Sequence, residues 1–357
     1  MHEAEENTPL TEIETRIKKL KSHLEASGIS AALILQVSDL FYFSGTIQQA
    51  HLFVPVDDEP LLMVRKSYQR AQSESAIKRT IPLDSVKQIP DLLRQNGYNL
   101  PRRLGMELDV LPANLFLGYQ NIFDGVTLVD ISPVIRMVRA VKSDYEIDMV
   151  EKAAEFSDQV AGSVKEFLHE GITEIELAGL VEARARKLGH QGVIRMRLWG
   201  SELFYGHLMA GPSAAVPSFL ASPTGGAAVS PSVAQGAGFR PIQRHEPVLL
   251  DYVFAYRGYL SDHTRIFSIG ELPDDLVRAH KAMLKVQAMV KEQAKPGVRA
   301  GDIYERAVNL AADLGYAKNF MGAGEDRIRF IGHGIGICLL YTSDAADESS
   351  RGGGGGG

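Results

Sequence analysis

The sequence predicts an α+β chain: an alternating α/β domain, then a mixed domain whose helices cover one sheet. Three observations predict it. The chain has 357 residues, about two domains at roughly 150 residues each. Short apolar runs alternate with helical patterns over the first part, to about residue 140. Beyond residue 143 the order changes to helix, helix, antiparallel strands, helix, helix, strand.

The first domain opens with Ile13, Ile17, Leu20 and Leu24 at helical spacing over residues 11–27, stopped by Gly28. Residues 29–36 then read as a buried strand and 61–64 as a second. Residues 104–108, interrupted by Glu107, are a weaker strand, and 91–95 is helix-like. The expected domains are residues 11–140 and 143–337. Ser143 and Glu146 have the spacing of a capping box that opens a long helix. Its stripe is Ile147, Val150, Ala154, Val160, Val164 and Phe167, before Gly171. Thr173 and Glu176 repeat the device ahead of Leu177, Leu180, Val181 and Leu188, with Gly189 as the stop. Strands are expected over 193–198, 203–209, 247–256 and 259–269, and helices over 274–293 and 302–314. The loop 221–238, rich in Gly, Ser, Pro and Ala, is long for a compact domain and is expected to lie over a site.

Composition narrows the function. Apolar residues are 45% and charged residues 23% of the chain, as in soluble globular proteins. Lys plus Arg number 38 against 44 Asp plus Glu, a net charge of −6 with no basic block. That argues against a dedicated nucleic-acid binder, which needs clustered cations for phosphates. No apolar run approaches the ~20 residues that span a bilayer. The polar, acidic N-terminus lacks the parts of a signal peptide, so a cytoplasmic location is expected. Cys338 is the only cysteine, which excludes an intrachain disulfide and a cysteine metal cluster. From Cys338 onward the text ends in six glycines and does not continue the preceding pattern. Residues 338–357 read as a foreign or disordered tail, the alternative being a natural flexible tail.

The strongest chemical signal is the pair Asp251 and Asp262 inside two apolar strands that flank Arg257-Gly258, a turn signal. A two-residue hairpin loop places Asp251 opposite Thr264 and Val253 opposite Asp262. Asp251, Asp262 and Thr264 then share one face, with the carboxylates diagonal neighbours roughly 7–8 Å apart at the backbone. Two such charges repel each other and resist desolvation, and a cation between them relieves both costs. The spacing alone leaves alternatives: one Asp turned to solvent at a sheet edge, or a bulge that flips the register. His333 lies between glycines in Phe330-Ile331-Gly332-His333-Gly334-Ile335-Gly336, where an imidazole is open to close approach and suits metal ligation. A lone histidine is more often structural.

Together these segments resemble the pita-bread metallopeptidases, the family of Xaa-Pro aminopeptidases, prolidases, methionine aminopeptidases and creatinase. Asp251, the run Ser261-Asp262-His263-Thr264-Arg265 and the Gly-His-Gly at His333 match the family's first three ligand positions in order and separation. Ser38-Asp39-Leu40-Phe41-Tyr42-Phe43-Ser44-Gly45 looks like a segment of the creatinase-type N-terminal domain, and residues 135–147 look like the family's domain junction. The resemblance implies a creatinase-like N-terminal domain followed by an incomplete pita-bread catalytic domain. It implies metal ligands Asp251, Asp262 and His333, with Thr264 and Arg265 supporting the site. It also implies two divalent metal ions (manganese, cobalt or zinc), a peptide substrate, and hydrolysis of N-terminal Xaa-Pro bonds by a metal-activated water. No nucleic acid and no membrane partner is expected; dimerisation through the N-terminal domain is common among such relatives.

Two departures bear on activity. The family's two Glu ligands and a second active-site His follow the Gly-His-Gly motif. Here the chain runs into the presumed tail, and Glu348 is not accepted as a ligand, so this chain is expected to bind metal poorly and be inactive. Peptidase relatives usually carry Pro-His where this sequence has Pro217-Ser218; His207, nearby in sequence, is the candidate substitute for that catalytic role, the alternative being a surface histidine. A non-peptidase hydrolase or lyase of the same fold, or a catalytically silent binding homologue, are the alternatives.

Overall fold

The computed structural model describes residues 7–197, 205–220, 222–233, 235–322 and 327–339. The chain divides into two compact units, Met1–Ile147 and Asp148–Gly357.

The first unit begins with α1 (Leu10–Ala26), whose four expected apolar residues are all buried. It continues through β1 (Ala31–Ile34), α2 (Val37–Ser44), β2 (Ala50–Pro55), β3 (Leu61–Val64), α3 (Tyr68–Glu74) and β4 (Thr80–Pro82). It ends with α4 (Ile89–Gln95), β5 (Arg103–Met106), α5 (Ala113–Ile122), β6 (Thr127–Asp130) and α6 (Ser132–Ala140). The six strands form a mixed sheet in the order β4-β3-β2-β1-β5-β6, antiparallel at β1/β2 and β2/β3 and parallel elsewhere. β1, β2 and β3 are buried along their whole lengths, as strands covered on both faces must be. β2 was not expected from the sequence; its run Ala50-His51-Leu52 breaks both simple periods.

The two segments singled out in this unit meet each other. Asp39 on α2 and Arg139 on α6 form a buried ion pair at 2.7 Å, with side-chain exposures of 0% and 4%. Glu146 accepts a hydrogen bond from the Tyr42 hydroxyl at 3.5 Å and lies 3.9 Å from Arg16. Glu146 also closes the expected capping box, accepting from the Ser143 amide at 3.1 Å while its own amide donates to Ser143 Oγ at 3.2 Å.

That box opens α7 (Asp144–Phe167). α8 (Glu174–Lys187) starts from the second box, Thr173 with Glu176. The stripes are only partly as expected: Val160, Val164, Leu177 and Val181 are buried, but Ile147 and Leu180 are exposed. Then come β7 (Gly206–Ala210), β8 (Val248–Tyr256) and β9 (Tyr259–Phe267), an antiparallel sheet in that order. Val160, Val164, Leu177 and Val181 pack against Leu208, Leu250 and Phe254 on one face of it. Each such buried side chain contributes roughly 1.5–3 kcal/mol of transfer free energy. α9 (Asp274–Gln293) and α10 (Ala300–Asp313) follow, joined through Val286, Ala307 and Ala311.

Three expectations need correction. Residues 193–197 form no strand, only the single bridge Met196–Leu339. The strand expected after the last helix is also absent among the described residues: 327–339 holds only single bridge residues, Gly334 and Leu339, because its glycines offer few side chains to pack on a sheet. Cys338 and Leu339, assigned to the tail, are buried, and Leu339 packs with Ile194, Val253, Ala255 and Leu260. Residues 340–357 lie outside the described residues.

Removing one side of a buried ion pair leaves the other charge unpaired. Asp39→Ala is therefore expected to lower the stability of the first unit by about 3–5 kcal/mol in urea unfolding. A loss below about 1 kcal/mol would mean that Arg139 is held by other groups.

Candidate metal centre

The hairpin has the register the turn dictates. Arg257 (φ +48°) and Gly258 (φ +88°) are both left-handed, the geometry of a two-residue turn that matches strand twist. Asp251 pairs with Thr264 and Val253 with Asp262. The alternating residues Leu250, Tyr252 and Phe254 face the helices, which leaves Asp251 and Asp262 on the opposite face.

β7 adds a residue to that face. His207 pairs with Asp251 across the sheet and is buried, 7% exposed. The approach is close because the preceding residue is Gly206, at φ +149°. A Cβ there would lie 2.1 Å from the Asp251 carbonyl oxygen. His333 reaches the same place from the irregular segment after α10. The Leu260 amide donates to the Gly336 carbonyl at 2.7 Å, which ties that segment to β9. His333 Nε2 then lies 3.2 Å from Asp262 Oδ2. The structure thus brings Asp251, Asp262, His333, Thr264 and His207 to one face.

Arg265 is elsewhere. It follows Thr264 and so points to the other side of β9, where Nη2 donates to Asp158 Oδ1 on α7 at 2.7 Å. His263 shares that side, with Nδ1 3.4 Å from the same carboxylate, as its alternation with Asp262 predicts. Arg265 clamps the sheet to α7, and Asp158, its partner, had no local signal in the sequence. Ser218, the departure from Pro-His, accepts a hydrogen bond from the Leu220 amide at 3.2 Å. Glu348 lies outside the described residues.

The long loop has an anchor that the sequence did not single out. Glu174 is wholly buried; it accepts from the Ala210 amide at 2.8 Å, from the Gly238 amide at 3.0 Å and from the Ser213 hydroxyl. It thereby fastens the end of β7 to both ends of the 211–238 segment.

The electrostatics follow from crowding. Burial and the neighbouring Asp262 charge push Asp251 up to about 7, against the opposing Thr264 hydrogen bond to Oδ1 at 2.8 Å and the His333 charge. Burial would lower His333, but its hydrogen bond to Asp262 and that residue's charge outweigh it, and His333 is raised. Burial lowers His207, with Asp262 opposing. His207 is thus biased toward the neutral imidazole, which can give or take one proton.

Two carboxylates and an imidazole are a donor set suited to a divalent transition ion, and the Asp251–Asp262 repulsion is what such an ion relieves. Among the described residues, no three His, Cys, Asp or Glu side chains are spaced to close a coordination shell. His333 pairs with Asp262 instead, so binding an ion there would release protons from His333 and Asp251. The chemistry of the set fits a cation.

A two-unit chain with this carboxylate hairpin belongs to a class of metal-dependent hydrolases, and comparison with known proteins identifies which. The chain belongs to metallopeptidase family M24, whose model matches residues 148–349, and residues 16–141 match the creatinase/prolidase N-terminal domain. The matched span thus runs past residue 337, where the native part was expected to end. A Xaa-Pro dipeptidase of Pyrococcus horikoshii is 25% identical over 326 residues, covering 90% of this chain and 81% of that protein. An uncharacterized peptidase of Staphylococcus epidermidis is 27% identical over 332 residues, covering 90% and 84%. The fold matches a Xaa-Pro dipeptidase from Bacillus anthracis with a TM-score of 0.76 at 20% identity, covering 93% of this chain and 84% of that one. A prolidase from Pyrococcus horikoshii matches with a TM-score of 0.74 at 24% identity, covering 92% and 84%. Among the described residues no helix is long and apolar enough to cross a membrane.

Two outcomes are expected here. Gly206→Ala cannot keep β7 against the Asp251 backbone, so it should displace His207; a His207 ring-proton shift unchanged by NMR would refute this. Asp251's value lies above the ordinary 3.8, so its contribution to stability is complete below that pH and lost as pH rises through about 7. A divalent cation should therefore raise the melting temperature of the EDTA-treated chain more at about pH 8 than at about pH 5. Equal shifts would dissociate the cation from this carboxylate.

Proposed function

We propose that this protein is a metal-dependent peptidase acting on Xaa-Pro bonds at the N-terminus of peptides. The observation that carries the proposal is the meeting of Asp251, Asp262 and His333 on one sheet face beside His207, within a chain of family M24. Aminopeptidase rather than dipeptidase action is the finer reading; the sequence resemblance covers both kinds of enzyme.

Asp251, Asp262 and His333 would hold the ions, two in number, with manganese, cobalt or zinc all compatible with oxygen ligands and one imidazole. When bound, such ions supply Lewis acidity that makes a hydrolytic water reactive near neutral pH. The protein's own part is orientation. Thr264 donates to Asp251 Oδ1 and fixes one carboxylate oxygen. His207, opposite Asp251 and shielded from solvent, is placed to pass a proton to or from a substrate amide. Arg265 acts at a distance, holding β9 against α7 through Asp158.

One observation favours a second reading, a non-peptidase hydrolase or lyase of the same fold: Ser218 stands where peptidase relatives carry His, and its hydroxyl is engaged within its own turn. The remaining family ligands would have to come from residues beyond those described. A metal-supplemented assay with Xaa-Pro dipeptides and longer Xaa-Pro peptides separates the readings. In a chain that carries all of the family's ligands, cleavage of longer peptides supports the aminopeptidase, cleavage of dipeptides alone a dipeptidase, and no cleavage the second reading. In such a chain, Asp262→Asn should abolish metal-dependent hydrolysis; unchanged turnover would remove Asp262 from the site.

A further inference from the structure

The first unit contains a cavity of about 480 Å³ beside α2, β2 and α5, remote in sequence from the hairpin. Small-molecule sites commonly fall in the range of roughly 300–1,000 Å³. Its walls include the apolar Leu35, Leu40 and Ile122, and its polar residues include His51, Tyr119 and Arg65.

His51 is the unusual member. It lies in β2, 5% exposed, with Nε2 2.5 Å from the Tyr119 hydroxyl. Its other ring nitrogen, Nδ1, is buried and has no hydrogen-bond partner among the described residues. Leaving a buried ring nitrogen unmatched costs its full desolvation, so the position is one a ligand atom would improve. Burial pushes Tyr119 up to about 12, so the phenol keeps its proton and can donate to Nε2. Burial, aided by the Arg65 guanidinium, pulls His51 down to about 4, so the imidazole is neutral. In the tautomer that accepts at Nε2, the hydrogen sits on Nδ1. Arg65 is exposed and forms no ion pair with any described residue. In that tautomer the cavity wall carries an unmatched buried N–H, with an exposed cation nearby and an apolar chamber.

We propose that this cavity binds a small monocarboxylate with an apolar body, its carboxylate held by Arg65 and His51 Nδ1–H and its body against Leu35, Leu40 and Ile122. A single guanidinium balances one negative charge, which favours a monocarboxylate over a phosphate. The carboxylate could be that of a free aliphatic acid or of a peptide C-terminus, and the test separates them. This inference does not rest on the peptidase reading.

The experiment uses the full chain in EDTA, which keeps divalent ions out of the other unit. Binding of hexanoate and of N-acetylleucine is measured by calorimetry and saturation-transfer NMR, with 1-hexanol as the uncharged control. At least one carboxylate should bind with unit stoichiometry and shift the His51 Nδ1 resonance; whichever binds more tightly identifies the source. Hexanol should bind about tenfold more weakly or worse, and Arg65→Gln should weaken the carboxylate by a similar factor. Arg65 is at the surface, so this variant is expected to fold, which a melting curve verifies. Equal binding of hexanol, unchanged affinity in Arg65→Gln, or no binding of either acid would overturn the proposal. So would self-association of the chain that excludes both probes, because the rim residues Val37, Ile47 and Leu115 would then be covered by a second copy.

Discussion

Two negative charges held side by side in a β-hairpin are the constraint on which the second unit depends. Asp251 and Asp262 cannot separate, because each is fixed in the middle of a nine-residue strand whose other face is packed on α7 and α8. A slip of one residue would turn the pair away but expose Leu250, Tyr252 and Phe254 and bury the acids in the helical interface. Hydrophobic burial on one face thus enforces electrostatic strain on the other. Burial and the Asp262 charge push Asp251 up to about 7, and His333 lies against Asp262.

The surroundings of the pair are held by charged side chains that do no chemistry. Glu174 spends both oxygens on backbone amides and a hydroxyl, binding the end of β7 and the long loop into one assembly. That sets the position of His207, since β7 carries it. Arg265 and Asp158 do the same for β9 from the other side. In the first unit, Asp39 and Arg139 join α2 to α6. Glu174, wholly buried, accepts from Ala210, Gly238 and Ser213, as a polar group taken out of water must.

The family assignment and the geometry address different questions. Membership in M24 accounts for the order of the acidic and imidazole residues along the chain. The geometry accounts for what those residues can do now: Asp262 already engages His333, His207 is shielded beside Asp251, and Ser218 is committed to its own turn. Cys338 and Leu339 belong to the packed part of the second unit, whatever the origin of the residues that follow.

What the sequence determined by itself is everything governed by short-range periodicity and turn chemistry. It predicted α1, β3, both capping boxes, the hairpin with its register, and the shared face of Asp251, Asp262 and Thr264. Tertiary structure alone decided the rest. His207 faces Asp251 only because Gly206 lets β7 come within contact of β8 across a long loop. Arg265 serves the sheet rather than the site because Asp158, far away in sequence, offers it a carboxylate. Glu174, the His51 cavity and the seat of His333 likewise depend on partners brought together by folding. The apolar run before His333 looked like a strand, but a strand needs a neighbour with free backbone groups, and only the packed molecule shows whether one is there.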